Sequence, residues 1–350
     1  MGKLAVYKYF SFMFLVITLV IAIFTIFGLF GGGSNPATGT MMAMLVYILP
    51  ALILGNIVML IYWLVRRRWH WCAIPALTLL CCIPYVITFF KPGFGSSADG
   101  KSGLTVATYN VAAFGRELTG FKAEDILSEM KQQKVDVLCL QEYKATSGDK
   151  SNTDSYKGYF NYMATGRDDM VVFSRFPVKG YGIIDFGATN NSGMWADIDV
   201  NGLLLRVFNV HLETTGFNRT LRHVAKLQVQ GTDIEDNAIV RAIYDNYTRG
   251  MIVRAGQASR VASEILQSKL PVILCGDFND VPYSYVYNTM KGDLVDGFKE
   301  CGGGFMYTYR GKKSFRIDYI FHDESLEGVS YYKLNLSYSD HFPVFMKFAL

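Results

Sequence analysis

The stretch MWADIDVNGLLLRVFNVHLE, residues 194–213, decides the fold class. Two β-rich runs flank Asn201-Gly202, a dipeptide that closes tight hairpins because both residues tolerate positive φ. The second run ends on a polar residue, His211. Outward from this hairpin, further short apolar runs read as strands: LTVATYNV (104–111), VDVLCLQE (135–142), DMVVFSRFPV (169–178), PVILCGDFND (271–280), FRIDYIFH (315–322) and SDHFPVFMKFAL (339–350). Between them, FKAEDILSEMKQQK (121–134) is an amphipathic helix with Ile126, Leu127 and Met130 on one side. Residues 218–268 read as helical, interrupted by a polar stretch near Gly231–Asn237. Strands outnumber helices and hairpins recur, so an α/β sandwich fits better than a doubly wound parallel sheet.

Several strand ends carry a polar side chain. Asn110 follows LTVATY, Glu142 follows VLCLQ, His211 follows RVFNV, and Asp277 with Asn279 follows VILCG. Asp340-His341 precedes the last strand, and Asp318 lies between the apolar neighbours of FRIDYIF. Any one of these alone is an ordinary turn residue, a solvated carboxylate or a core histidine. The set is more informative. Carboxylates, amides and histidines at the ends of buried strands suit a hard Mg²⁺ or Mn²⁺ ion beside a phosphate, with an imidazole to manage protons.

The ordered series TYNV, LQE, VVFSRFPV, FNVHLE, GDFND, FRIDYIF and SDHFP is similar to the endonuclease/exonuclease/phosphatase superfamily (DNase I-like), over essentially all of 104–350. The resemblance implies a four-layer α/β/β/α sandwich of two mainly antiparallel sheets. It implies Glu142 as principal metal ligand, with Asn110 beside it and Asp340 as a further metal-associated carboxylate. Asp277 would orient or deprotonate the attacking water, and Asn279 would position Asp277 and the phosphate. His341, its tautomer fixed by Asp318, would contact the phosphate or move a proton, and His211 matches the second histidine of the family's DNase I-like branch. The implied activity is metal-dependent phosphoester hydrolysis. The ester stays open between lipid, nucleic acid and small molecule, with a nuclease as the alternative. A catalytically inactive binding module is disfavoured because every core position is present.

Other polar residues have weaker context. Arg175 in FSRFP is expected to pair with a carboxylate near the sheet end, and His70, His223 and His322 read as interfacial, exposed or structural. Arg254, Gln257 and Arg260 share a broad helical face that could flank the site, although a solvated face fits at least as well. The aromatic stretches at 283–287 and 302–309 could meet a bilayer, but ordinary packing is favoured.

Residues 1–90 differ in composition. They hold five basic residues (Lys3, Lys8 and Arg66–Arg68) and no Asp or Glu. Of the 34 basic residues in the chain, 29 therefore remain in 91–350 against 30 acidic ones. That near-neutral domain has no basic footprint for tight, non-specific nucleic-acid binding. Apolar runs at 10–30, 41–65 and 71–90 are each long enough to cross a bilayer, the third despite Pro75 and Pro84. The first run is too long for a signal peptide and lacks a cleavage site. The positive-inside rule places the N-terminus and the arginine cluster in the cytoplasm. Three spans then put residues 91–350 on the extracytoplasmic side of an integral membrane protein, joined by a Gly/Ser-rich linker at 91–103. No obligate protein partner is called for. The six cysteines have no regular spacing and read as buried or free thiols.

Overall fold

The computed structural model describes residues 3–93, 103–112, 123–143, 156–167, 170–189, 191–214, 226, 236–310 and 315–350. Most of the expected linker, His223, and much of the expected helical stretch before residue 236 lie outside them. The chain divides into two compact units, Met1–Thr88 with Tyr283–Asn288, and Phe89–Pro282 with Thr289–Leu350.

In the first unit, helices run over Lys3–Gly31, Pro36–Val65, Trp69–Cys81 and Ile83–Val86. Asn35 caps the second by accepting the Ala37 N–H at 2.9 Å, and Pro36 follows in the first turn, where its missing N–H costs nothing. Pro84 lacks the N–H that would continue the third helix, which breaks at Cys82 and resumes for one turn. Polar side chains pair between the first two helices. Trp63 Nε1 donates to Thr18 Oγ1 at 2.9 Å, and Asn56 Nδ2 donates to Thr25 Oγ1 at 2.8 Å. Tyr7–Gly31, Pro36–Val65 and Trp69–Val86 are long and apolar enough to cross a membrane.

The second unit is the expected sandwich. Its strands are β1 Phe90–Lys91, β2 Gly103–Asn110, β3 Val137–Gln141, β4 Tyr162–Thr165 and β5 Met170–Ser174. They continue as β6 Val178–Ile184, β7 Gly193–Val200, β8 Leu203–His211, β9 Val272–Asp277 and β10 Val295–Asp296. The last are β11 Gly304–Phe305, β12 Asp318–His322, β13 Glu327–Lys333 and β14 Val344–Ala349. One sheet has the order β10-β12-β9-β8-β7-β6 and the other β13-β14-β2-β3-β5-β4. Within them only β8–β9 and β2–β3 are parallel pairs. Lys91, the first residue of the expected linker, is instead held in a short strand: β1 pairs with β11, and its ammonium donates to the carbonyls of Lys299 and Glu300.

The sheets meet through Val106, Val137, Cys139 and Val172 on one side and Ile198, Val207, Ile273 and Ile320 on the other. Ile126, Leu127 and Met130 of the helix Ala123–Gln132 cover the outer face of the second sheet, packing on Ala107, Leu138 and Phe345. Strands covered on both faces must be apolar throughout, and this is why the central runs lack alternation. The hairpin at 194–213 has its predicted turn, with φ of 55° at Asn201 and 95° at Gly202. Asp199 Oδ1 accepts the Gly202 N–H at 2.8 Å. Arg175 pairs with Asp136 at 2.8 Å. His322 is fully buried against Glu300 at 2.8 Å, a structural role, while His70 is exposed. The stretch 302–309 is packed: Met306 and Thr308 are buried, and Phe305 meets the Phe89 ring. All six cysteines are free.

Candidate active site

The parallel pairings deliver the polar strand ends to one edge of the sandwich. In β8–β9, His211 stands opposite Asp277, and in β2–β3, Asn110 stands opposite Gln141, so Glu142 follows immediately. Gly276 makes the first pairing possible. Its φ is 138°, and a Cβ there would lie 1.9 Å from the Val210 carbonyl oxygen. Glu142 and Asn279 adopt left-handed backbone, with φ of 52° and 51°. Two non-glycine residues in that region at one site is a conformational cost of the kind concentrated where side chains must be aimed.

Asn110 ties the two sheets together. Its Nδ2 donates to Glu142 Oε1 at 3.2 Å and to Asp277 Oδ2 at 3.0 Å, while its Oδ1 accepts the Ala112 N–H. Its amide thus faces both carboxylates and orients them. Asp277 Oδ1 accepts the Asn279 N–H at 2.8 Å, and Asn279 Nδ2 donates to the Leu212 carbonyl at 2.9 Å. His211 Nε2 lies 3.8 Å from both Glu142 Oε1 and Asp277 Oδ2. Asp277 is buried, whereas the Glu142 side chain is 44% exposed, open to an incoming ion or ester.

Asp318 and His341 form the other wall. His341 Nδ1 meets both Asp318 oxygens at 3.0 and 3.1 Å, and its Nε2 lies 3.7 Å from Asp277 Oδ2. Thr308 Oγ1 accepts the backbone N–H groups of Ile317 and Asp318, fixing the start of β12. The Tyr309 ring packs edge-on against His341. Burial pushes the Asp318 carboxyl up to about 6, with Asp277 adding to the effect against the pull of His341. Burial alone would lower the imidazole, but the Asp318 and Asp277 carboxylates together raise His341 to about 10. Each charge thus favours the ionised form of the other. Asp340 is exposed, joins the site by its charge on His341, and makes no direct contact with Glu142 among the described residues.

Asp277, Asp318 and His341 present ligand-type atoms within 4.8 Å of one another. Both Asp318 oxygens are engaged by the His341 ring, so this trio is better explained as an ion-paired proton system than as a cation cage. The exposed Glu142 carboxylate is the hard oxygen donor that suits Mg²⁺ or Mn²⁺.

Residues 107–341 match the family described as Endonuclease/Exonuclease/phosphatase family. The chain belongs to that family. Its members are hydrolases of phosphoesters, and this chain carries the family's fold and enzymatic character. Residues 11–89 separately match a domain of unknown function (DUF8431). Comparison with curated proteins finds no match. Among solved structures, a humanized D. rerio TDP2 is similar over 71% of this chain and 99% of its own, at 18% identity and TM-score 0.53. An endonuclease/exonuclease/phosphatase from Beutenbergia cavernae aligns over 71% of this chain and 72% of its own, at 19% identity and TM-score 0.51. The human Nocturnin catalytic domain aligns over 72% and 96%, at 18% identity and TM-score 0.50. At these identities the likeness establishes the fold.

The eight residues named from sequence occupy one edge of this family member. Arg254 and Gln257 correct the solvated-face reading, because both are buried and bonded to residues that follow the site strands. Arg260 alone fits it, 59% exposed and paired with Glu264 one helical turn away. Thr308 and Asp280, which brace residues beside the site, were not singled out from sequence. Only Asp280 carried a signal, as the last residue of GDFND.

Proposed function

We propose that this family member is a membrane-anchored, divalent-metal-dependent phosphoester hydrolase in which water attacks a phosphodiester or phosphomonoester. The observation that carries the reading is the meeting of Asn110, Glu142, His211 and Asp277, at the ends of four strands of two sheets, within 3.8 Å steps. Glu142, with Asn110 beside it and Asp340 nearby, would hold Mg²⁺ or Mn²⁺. A bound divalent ion supplies charge stabilisation to the phosphoryl oxygens and the leaving oxyanion. The protein does the rest. Asp277, aligned by Asn110 and by the Asn279 N–H, accepts a proton from the attacking water. Asn279 and His211 hold the phosphate oxygens. His341 is kept cationic by Asp318, so its Nε2–H faces the developing negative charge and can protonate the leaving oxygen.

The three apolar helices hold the hydrolase at a bilayer, with Lys3, Lys8 and Arg66–Arg68 in the cytoplasm and residues 91–350 on the other side. The substrate is then a phosphoester reachable from the extracytoplasmic membrane surface. The test is turnover by the full chain in detergent of bis-p-nitrophenyl phosphate, phospholipids and plasmid DNA with Mg²⁺ or Mn²⁺. Turnover that disappears in Glu142→Gln is expected. Absence of turnover on every substrate refutes the reading, and DNA as the sole substrate replaces it with a nuclease.

A further inference from the structure

The helix Asp236–Leu266 carries a charge and an amide on the face that it buries. Arg254 is fully buried and Gln257 is 4% exposed, on the same side as Met251, Ala255, Ala258 and Val261. A guanidinium out of water is costly unless its hydrogen bonds are specific, and an apolar side chain of similar volume would fill the space more cheaply. The bonds here are specific. Arg254 Nε donates to Asp280 Oδ2 at 3.0 Å, and its Nη1 donates to the Glu213 carbonyl at 2.8 Å. One turn on, Gln257 Oε1 accepts the Glu213 N–H at 2.7 Å, and its Nε2 donates to Thr189 Oγ1 at 3.4 Å.

Both acceptors sit just beyond site residues. Glu213 lies two positions after His211, and Asp280 directly follows Asn279. The chain between is fixed as well. His211 N–H donates to the Ser192 carbonyl and Leu212 N–H to the Asp277 carbonyl, each at 3.0 Å. The Leu212 carbonyl accepts Asn279 Nδ2 at 2.9 Å and Asn191 Nδ2 at 3.2 Å. His211 Nε2 and Asp277 Oδ2 stand 3.8 Å apart, on main chain that these bonds fix.

We propose that Arg254 and Gln257 are positioning residues that clamp the ends of β8 and β9, holding His211 against Asp277 and Asn279 at the spacing that hydrolysis needs. This rests on the phosphoester-hydrolase reading. These bonds reach chain that flanks strands of the sheet carrying His211 and Asp277. Loss of the clamp therefore disturbs phosphate contact and proton transfer.

The test uses the full chain in detergent with Arg254→Ala, Arg254→Lys and Gln257→Leu. It measures kcat on bis-p-nitrophenyl phosphate with Mg²⁺, calorimetric affinity for inorganic phosphate, and Tm. Arg254→Ala should lower kcat on the order of a hundredfold, the scale set by small misplacements of catalytic groups, and weaken phosphate binding. Millimolar guanidinium should restore part of both, equal sodium chloride should not, and Arg254→Lys should fall between. A lower Tm with wild-type kcat and phosphate affinity overturns the proposal. Should Arg254→Ala fail to fold, Gln257→Leu decides: reduced kcat at unchanged Tm supports the clamp, and wild-type kcat overturns it. A wild-type chain without turnover refutes the hydrolase reading instead, and phosphate affinity across the variants still judges the clamp.

Discussion

Burial disfavours both the His341 proton and the Asp318 charge, and the pairing of the two opposes burial at both groups. Each ion is stable because of the other. The imidazole is raised from 6.5 to about 10, so the folded state binds a proton that the unfolded state releases across that interval. Its stabilisation is complete below 6.5 and is lost as pH rises through 10. For the chain freed of divalent ions, stability should fall with pH from about 6.5 to 10, by at most about 1.4 kcal/mol per pH unit, visible as a declining Tm. In His341→Gln that slope should flatten. Asp318→Asn removes the carboxylate that keeps the ring charged and oriented. It should lower kcat by about 10²- to 10⁴-fold, the usual worth of a positioned acid or base. A pH–rate profile would show the loss largest at alkaline pH, where the unassisted imidazole is neutral.

Among the elements, the parallel β8–β9 pair matters most, because it sets His211 opposite Asp277. Gly276 permits that approach at φ 138°, with the Val210 carbonyl where a Cβ would stand. Gly276→Ala should therefore destabilise the domain by about 3 kcal/mol or more through forced backbone displacement, and lower both Tm and kcat. Gly202→Val, at the exposed hairpin turn, strains only φ and should cost about 1 kcal/mol while sparing kcat. These elements were legible in sequence because a strand covered on both faces has to be an unbroken apolar run, so its first polar residue marks the strand end. The helix Asp236–Leu266 was legible, but which of its faces is buried was not. Arg254 and Gln257 have the spacing and residue types of a solvated face, and it is bonds to Glu213, Asp280 and Thr189 that draw them inward. Asn110 lies beside Glu142, and the direction of its amide depends on Asp277, 167 residues away, which local patterning does not encode. The third apolar run was legible by length, while its break at Cys82 follows from Pro84.

For the whole molecule, two independent signatures coexist: exclusion of acidic residues over residues 1–90 and a polar strand-end set in the second unit. Alkaline-phosphatase and fluorescent-protein fusions at residue 95 test the proposed sidedness. Phosphatase activity and a dark fluorophore are expected for three crossings, and the reverse would place the domain in the cytoplasm with the N-terminus. The most direct measurement of the central claim is hydrolysis of bis-p-nitrophenyl phosphate by the purified full chain, with Mg²⁺ or Mn²⁺ and after chelation, beside Glu142→Gln of matched Tm. Turnover by the wild type should require the divalent ion and collapse in the variant. Turnover that survives chelation, or equal rates in Glu142→Gln, would contradict it.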